Sequence, residues 1–140
     1  MFFEYALTIP ANTPATAPVS LDIELARGEV TWWEIQFPTG CNGLVHVYVT
    51  DETHPVIPTN TDGDVAGSGA NIASFDQISL ETEPATLRLF GWNTDDTFPH
   101  TITFRFAVRS SAELARINSA FRALDYLDRW FSQQQPQPPA

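Results

Sequence analysis

The feature that most constrains this chain is a change in hydrophobic period at Ser110. Before this position, apolar residues alternate with polar ones in several short segments, which is the pattern of half-buried β-strands. After it, apolar residues recur at the three- and four-residue spacing of an amphipathic helix. The sequence therefore predicts a β domain over residues 1–109, a C-terminal amphipathic helix over residues 110–133, and a flexible Gln/Pro tail over residues 134–140.

The strand-like segments are short and are separated by Gly, Pro, Asn and Asp, the residues that favour turns. About eight such strands predict an antiparallel β-sandwich of jelly-roll-like type. The longest predicted loop covers residues 51–69, where the apolar pattern is lost. The predicted strands cover residues 3–9, 21–25, 30–37, 44–50, 72–75, 78–82, 85–92 and 100–108.

Charge is distributed unevenly along the chain. The protein has a net charge of −10, and residues 1–104 contain 14 Asp and Glu but only two Arg, whereas residues 105–140 contain five Arg and three acidic residues. Binding to nucleic acid requires clustered Lys and Arg, and a membrane-spanning helix requires about 20 consecutive apolar residues. Neither pattern occurs, so the sequence predicts no nucleic-acid partner and no membrane partner.

The residue types that carry chemistry lack the spacing of known sites. The three histidines do not form an HxH or HExxH motif, and no GxSxG, P-loop or GxGxxG motif occurs. Asn60, Asp62 and Asp64 alternate around Gly63 as in part of a calcium loop, but a solvated turn is the favoured interpretation. The sequence thus predicts a protein that is not an enzyme and has no cofactor or metal.

Cys41 and the acidic pair Asp95 and Asp96 also have structural interpretations. Cys41 is the only cysteine and lies between glycines, which indicates a small buried side chain in a turn. Asp95 and Asp96 follow Asn93 and Thr94 in a polar segment, which is typical of turn chemistry rather than of paired catalytic carboxylates.

The predicted helix has one strongly apolar side. Ser110 and Glu113 fit a capping box at its start, and its length of roughly 35 Å at 1.5 Å per residue exceeds the ~20 Å of a typical strand. Either the helix meets copies of itself or another protein, or it lies on its own sandwich; strict heptads fail at Asp128. The candidate interface consists of an arc about 140° wide, counted at 100° per residue, together with Trp130: Leu114, Ile117, Phe121, Leu124, Leu127, Trp130 and Phe131.

Tryptophans are the second candidate feature. Trp32 and Trp33 are adjacent in a predicted strand, so they face opposite ways and only one of them is expected in the core. Trp92, with Tyr48 and Phe90, adds further aromatic surface. Exposed members of this set are candidates for stacking on sugar rings, but core or subunit contacts are favoured because aromatic residues also dominate interfaces.

Three stretches resemble small β-sandwich accessory proteins, of the decoration type, from tailed phages and related viruses. They are LTIPANTPATAPV (7–19), FPTGCNGLVHVYV (37–49) and GWNTDDTFPHTITFRFAV (91–108). The resemblance covers about residues 5–108 and implies a virion component, such as a capsid decoration or other accessory protein, that contacts other virion proteins such as a major capsid protein. By analogy with such proteins, which often occupy threefold sites, a homotrimer is the preferred form of self-association through the helix. The helix and tail depart from that pattern. The alternative is a carbohydrate-binding β-sandwich used for host or surface attachment.

Overall fold

A computed structural model describes residues 1–52, 54–136 and 139 of the chain. The predicted mainly β fold with one C-terminal helix is confirmed. Within the described residues there are nine strands rather than eight. The elements are β1 (Phe2–Ile9), β2 (Val19–Leu25), β3 (Gly28–Phe37), β4 (Val45–Asp51), β5 (His54–Ile57), β6 (Val65–Ala66), β7 (Ala70–Leu80), β8 (Ala85–Asn93), β9 (His100–Ser110) and α1 (Ser111–Gln133).

The strands form two antiparallel sheets that face each other. The first sheet has the order β1–β9–β3–β7, and the second has the order β2–β8–β4–β5, with β6 also paired to β4. Apart from the local β4–β5–β6 meander, successive strands alternate between the two sheets. Apart from the short β6, each sheet has four strands in the order of a jelly roll, in agreement with the predicted sandwich.

The hydrophobic core lies between the sheets and follows from the period-two pattern. On β9, the inward positions are Ile102, Phe104, Phe106 and Val108, all of which are buried as predicted. The three alternating valines of β4 are likewise fully buried. The remaining strands contribute their own alternate positions to the same cluster, and α1 contributes none.

A bulge in β3 changes one predicted face. Trp33, Ile35 and Phe37 are buried as expected, but Thr31 does not join them. The pairing of β3 with both neighbours shifts between Val30 and Trp32, so Val30 occupies the inward position instead. Alternation alone does not predict such a bulge. The extra residue moves the side chains that precede it in the strand to the opposite face of the sheet.

The region 51–69 is not one long loop, which corrects the sequence-based assignment. β5 and β6 both pair with β4, and Ile57 is buried opposite Val49. Likewise, the two predicted strands 72–75 and 78–82 are a single strand, β7, paired along β3. The alternation of apolar and polar residues is interrupted within β7 because Asp76 lies there. Its carboxylate accepts a hydrogen bond from the Trp33 indole N–H at 3.1 Å.

The helix begins and ends where the sequence predicts. The backbone N–H of Glu113 donates to the Ser110 hydroxyl at 3.2 Å, and the Ser110 N–H donates to the Glu113 carboxylate at 3.3 Å, which completes the capping box. α1 ends at Gln133. Of the predicted tail, residues 137, 138 and 140 lie outside the described residues, so its flexibility stays a prediction.

α1 does not lie along its own sandwich. It is attached at its first turn, where the Ser111 N–H donates to the Arg27 carbonyl at 3.3 Å. Near this base it contacts β3 and β9, and Leu114 and Ile117 are half-buried. Every other side chain of the helix is exposed, so the alternative in which the helix packs on its own sheet is wrong for the single chain.

No helix among the described residues is long and apolar enough to cross a membrane.

Candidate functional site

The candidate interface predicted on α1 is exposed over most of its length. We call the six residues within the 140° arc the helix stripe: Leu114, Ile117, Phe121, Leu124, Leu127 and Phe131. Trp130 lies outside this arc, about 130° from its centre at 100° per residue, on the side of the helix that carries Tyr126. Phe121, Leu124 and Phe131 are 60 to 62% exposed, and Leu127 and Trp130 are nearly half exposed. Monomeric soluble proteins rarely expose large contiguous apolar patches, so the stripe is a candidate binding surface.

The charges of α1 differ from those of the domain that carries it. The helix contains three Arg and three acidic residues, whereas residues 1–110 contain 14 acidic residues and four Arg. Asp128 lies within the arc of the stripe, between Leu124 and Phe131. Tyr126 is on the other side of the helix, about 170° from the centre of the stripe at 100° per residue, and is 69% exposed. The helix is thus electrically neutral, whereas the domain that carries it is acidic. Its apolar arc and the side that carries Tyr126 face in opposite directions.

The three candidate tryptophans occupy three different environments. Trp33 is in the core, where its indole N–H donates to Asp76. Trp32 is half-buried on the outer face of the first sheet, paired with Phe75 of β7. Trp92 is half-buried on the outer face of the second sheet. The structure confirms that Trp32 and Trp33 point to opposite faces, and it excludes a platform formed by all three tryptophans.

Trp92 instead joins an aromatic cluster that involves His46, a residue whose role the sequence did not reveal. The Trp92 ring stacks on His46 with centroids 4.9 Å apart and planes 3° apart, and Tyr48 stacks on Phe90 at 4.7 Å and 9°. Both are direct cross-strand pairs of β4 and β8. His46 Nδ1 is also 2.7 Å from Asp64 Oδ1, which ties the segment between β5 and β6 to this face.

A cleft opens beside this cluster, and we call it the aromatic cleft. Its walls are the side chains of Tyr48 and Trp92, whose ring centroids are 6.2 Å apart with planes inclined at 59°. Its volume is about 340 Å³, which is within the range of small-molecule sites. The other lining residues come from the β1–β2 connection, β4, β5 and the β5–β6 connection: Ala15, Thr50, Pro55, Thr61, Asp62 and Gly63.

The protonation of Tyr48 suits a hydrogen-bonding role in this cleft. Burial raises the pKa of the Tyr48 phenol above its usual value. The hydroxyl group therefore stays protonated throughout the neutral range and is able both to donate and to accept a hydrogen bond.

Asp95 organises the turn between β8 and β9, as the turn interpretation predicts. Its Oδ1 accepts from the backbone N–H groups of Thr97 and Phe98 at 2.9 and 3.1 Å, and its Oδ2 is 2.9 Å from Nε2 of the buried His100. The hydrogen bond to His100, followed by those from the two backbone amides, holds the pKa of Asp95 below its usual value. This carboxylate is thus structural.

We expect Asp95→Asn to destabilise the fold in a pH-dependent way. A carboxylate with a depressed folded-state pKa stabilises the protein above its unfolded-state pKa of about 3.9, and this contribution is lost as the pH falls through the folded-state value. Urea unfolding at pH 7 and near pH 2.5 should therefore show a difference from wild type that is greater at pH 7 and shrinks in acid. The control is Asp96→Asn, because that carboxylate accepts from the Thr97 hydroxyl at 2.7 Å and not from the turn amides. A difference that stays constant with pH would contradict this role.

The single cysteine is not placed as a nucleophile. Cys41 is fully buried, as predicted, and burial is the main reason that the pKa of its thiol is raised, which disfavours the nucleophilic thiolate. Within the part of the chain that the structure describes, no three His, Cys, Asp or Glu side chains are grouped as metal ligands.

The helix stripe and the aromatic cleft are thus the two surfaces whose geometry indicates binding. No protein-family model and no curated protein sequence matches this chain.

Proposed function

We propose that this protein is a non-enzymatic structural component that self-associates through the helix stripe, and that it decorates the surface of a virion. The observation that carries the proposal is the exposure of the stripe on a helix that projects from its own domain. The placement on a virion rests on the resemblance of residues 5–108 to decoration-type accessory proteins.

A second copy of the chain is the occupant that fits the stripe. The domain carries a net charge of −10 over residues 1–110, whereas α1 is neutral, with acidic and basic residues interspersed. Two acidic domains repel each other, whereas two neutral helices do not. Copies of the chain therefore approach most readily through α1. Packing helices side by side would bury the Phe and Leu side chains that a single copy leaves in water.

The proposed assembly is a parallel bundle, with a homotrimer as the preferred state. The arc contains Leu114, Ile117, Phe121 and Leu124 at alternating spacings of three and four, which is two heptads of a coiled-coil seam. Asp128 interrupts the seam, so regular coiled-coil packing is confined to the part of the helix before it. Attachment of several linked copies to a repetitive particle lattice would then make weak individual contacts sufficient.

The test is a pair of substitutions on opposite sides of α1. We expect Phe121→Glu to convert the oligomer to a monomer in multi-angle light scattering at about 50 µM, because a charge would have to be buried in the seam. Tyr126→Glu is the matched control, since it places the same charge on the far side of the helix and should leave the mass unchanged. A wild-type monomer, or a Phe121→Glu protein with unchanged mass, would refute self-association through the stripe.

A further inference from the structure

Two aromatic rings in the aromatic cleft are held in fixed orientations before any ligand arrives. The Trp92 ring stacks on the His46 ring, and Nδ1 of His46 is 2.7 Å from Oδ1 of Asp64. The Tyr48 ring stacks on the Phe90 ring. The Tyr48 and Trp92 rings are inclined at 59° and form two sides of one depression. Rings that are already immobilised lose little conformational entropy when a ligand binds. The favourable contact with the ligand is therefore not offset by an entropic cost of ordering these side chains.

The polar groups of the cleft are hydroxyls and one carboxylate. Thr50 and Thr61 contribute hydroxyl groups, Tyr48 contributes its phenol, and Asp62 contributes the only charged side chain in the lining that the structure describes. Asp62 is exposed at the rim and has φ near +60°. A carboxylate in this position accepts hydrogen bonds from two donors at once, and such charge-assisted bonds are about twice as strong as neutral ones.

This combination selects a ligand with a flat apolar face and a rim of hydroxyl groups. The face of an aromatic ring is negative and attracts the C–H groups on one side of a sugar ring, while the sugar hydroxyls supply the donors that Asp62 and the Thr hydroxyls require. A wholly apolar ligand would leave these polar groups desolvated without partners. The volume of about 340 Å³ accommodates one or two sugar rings.

The charge around the cleft further restricts the ligand. No Arg lies in the described lining, and the chain contains no Lys. Asp62 lines the cleft and Asp64 lies close beside it, so sulfated, phosphorylated or sialylated sugars would meet repulsion and find no cation to pair with.

From this geometry we propose that the aromatic cleft binds a neutral saccharide unit of a glycan. Tyr48 and Trp92 hold the ring by stacking, and Asp62 accepts hydrogen bonds from its hydroxyls. The site is on the second sheet and includes no residue of α1. It therefore does not depend on self-association through the helix stripe.

The experiment is a glycan array that contains neutral, sialylated and sulfated glycans, followed by calorimetric titration of the full chain with the best neutral binder. We expect saturable binding of a neutral glycan and at least tenfold weaker binding by Tyr48→Ala and by Asp62→Gly. Glycine preserves the positive φ at position 62 while it removes the carboxylate. Phe75→Ala is the matched control, because it removes an aromatic side chain that is 86% exposed on the other sheet; its affinity should stay within twofold of wild type.

Several outcomes would overturn the saccharide site. These are no saturable binding of any neutral glycan, a preference for sialylated or sulfated glycans, or retention of affinity by both cleft variants. Titrating Phe121→Glu separates this inference from the proposed function, since that variant should lose its oligomeric state and keep the same affinity per chain. If Tyr48→Ala proves poorly folded by circular dichroism, Asp62→Gly alone decides, because Asp62 is exposed in a connection outside the core.

Discussion

Deleting α1 is expected to leave a folded, monomeric β-sandwich. A chain ending at Ser110 retains all nine strands, and the core contains no residue of the helix. Thermal unfolding of the truncated protein should therefore remain cooperative, with a midpoint close to that of the full chain at the concentration where the full chain is monomeric. Light scattering should show a single-chain mass for the truncated protein at concentrations where the full chain is assembled.

The expected change in association is large because the stripe is rich in big side chains. Complete burial of a Leu or Phe stabilises an interface by roughly 1.5–3 kcal/mol, and four such residues of the stripe, Phe121, Leu124, Leu127 and Phe131, are at least 48% exposed before association. Even after the entropic cost of association, this amounts to several kcal/mol, and each ~1.4 kcal/mol corresponds to a tenfold change in the dissociation constant. We expect the dissociation constant to rise at least 100-fold on truncation.

Retention of the oligomeric mass after truncation would indicate that copies of the chain associate through one of the sheets. If the truncated chain keeps the mass of the full-length assembly, the stripe is not the self-association surface. The outer face of the first sheet would then be the next candidate. There, Phe2, Ala107, Trp32 and Phe75 are cross-strand neighbours in one row across β1, β9, β3 and β7, and Phe2 and Phe75 are largely exposed.

The elements that could be predicted from the sequence are those governed by local rules. β9 alternates without interruption over its four inward residues, and the start of α1 is marked by the hydrogen-bonding pair Ser110 and Glu113. Both signals depend only on neighbours within four residues, so no knowledge of the tertiary structure was needed to read them.

The features that could not be predicted depend on contacts between distant residues. β5 has one fully buried residue, Ile57, and is a strand because β4 presents a free edge to it. Asp76 breaks the apparent pattern of β7 because it serves Trp33 on another strand. The aromatic cleft joins residues from Ala15 to Trp92, and its key orientation, the stacking of His46 on Trp92, follows from the register of β4 against β8. The period predicts which face of a strand each residue occupies, but it does not predict which residue of β4 lies opposite which residue of β8, because no turn connects these two strands.

Gly28 lies at the junction from which α1 extends away from the domain. Gly28 is paired with Ser110, has φ near +149°, and would place a Cβ atom 1.9 Å from the Arg109 carbonyl oxygen. Because the obstacle is backbone rather than a flexible side chain, Gly28→Ala must displace the end of β9 together with the base of the helix.

We expect Gly28→Ala to lower the free energy of unfolding by roughly 2–6 kcal/mol, which combines about 1–3 kcal/mol of backbone strain with a similar cost of overpacking. Gly43→Ala is the matched control, since Gly43 also has a positive φ, near +72°, but an added Cβ there would have no atom within 4 Å. It should cost only about 1–2 kcal/mol. Chemical denaturation of both variants measures the difference. Equal losses would mean that the end of β9 yields easily to an added Cβ, and that the direction of α1 is not fixed by close packing of Gly28 against β9.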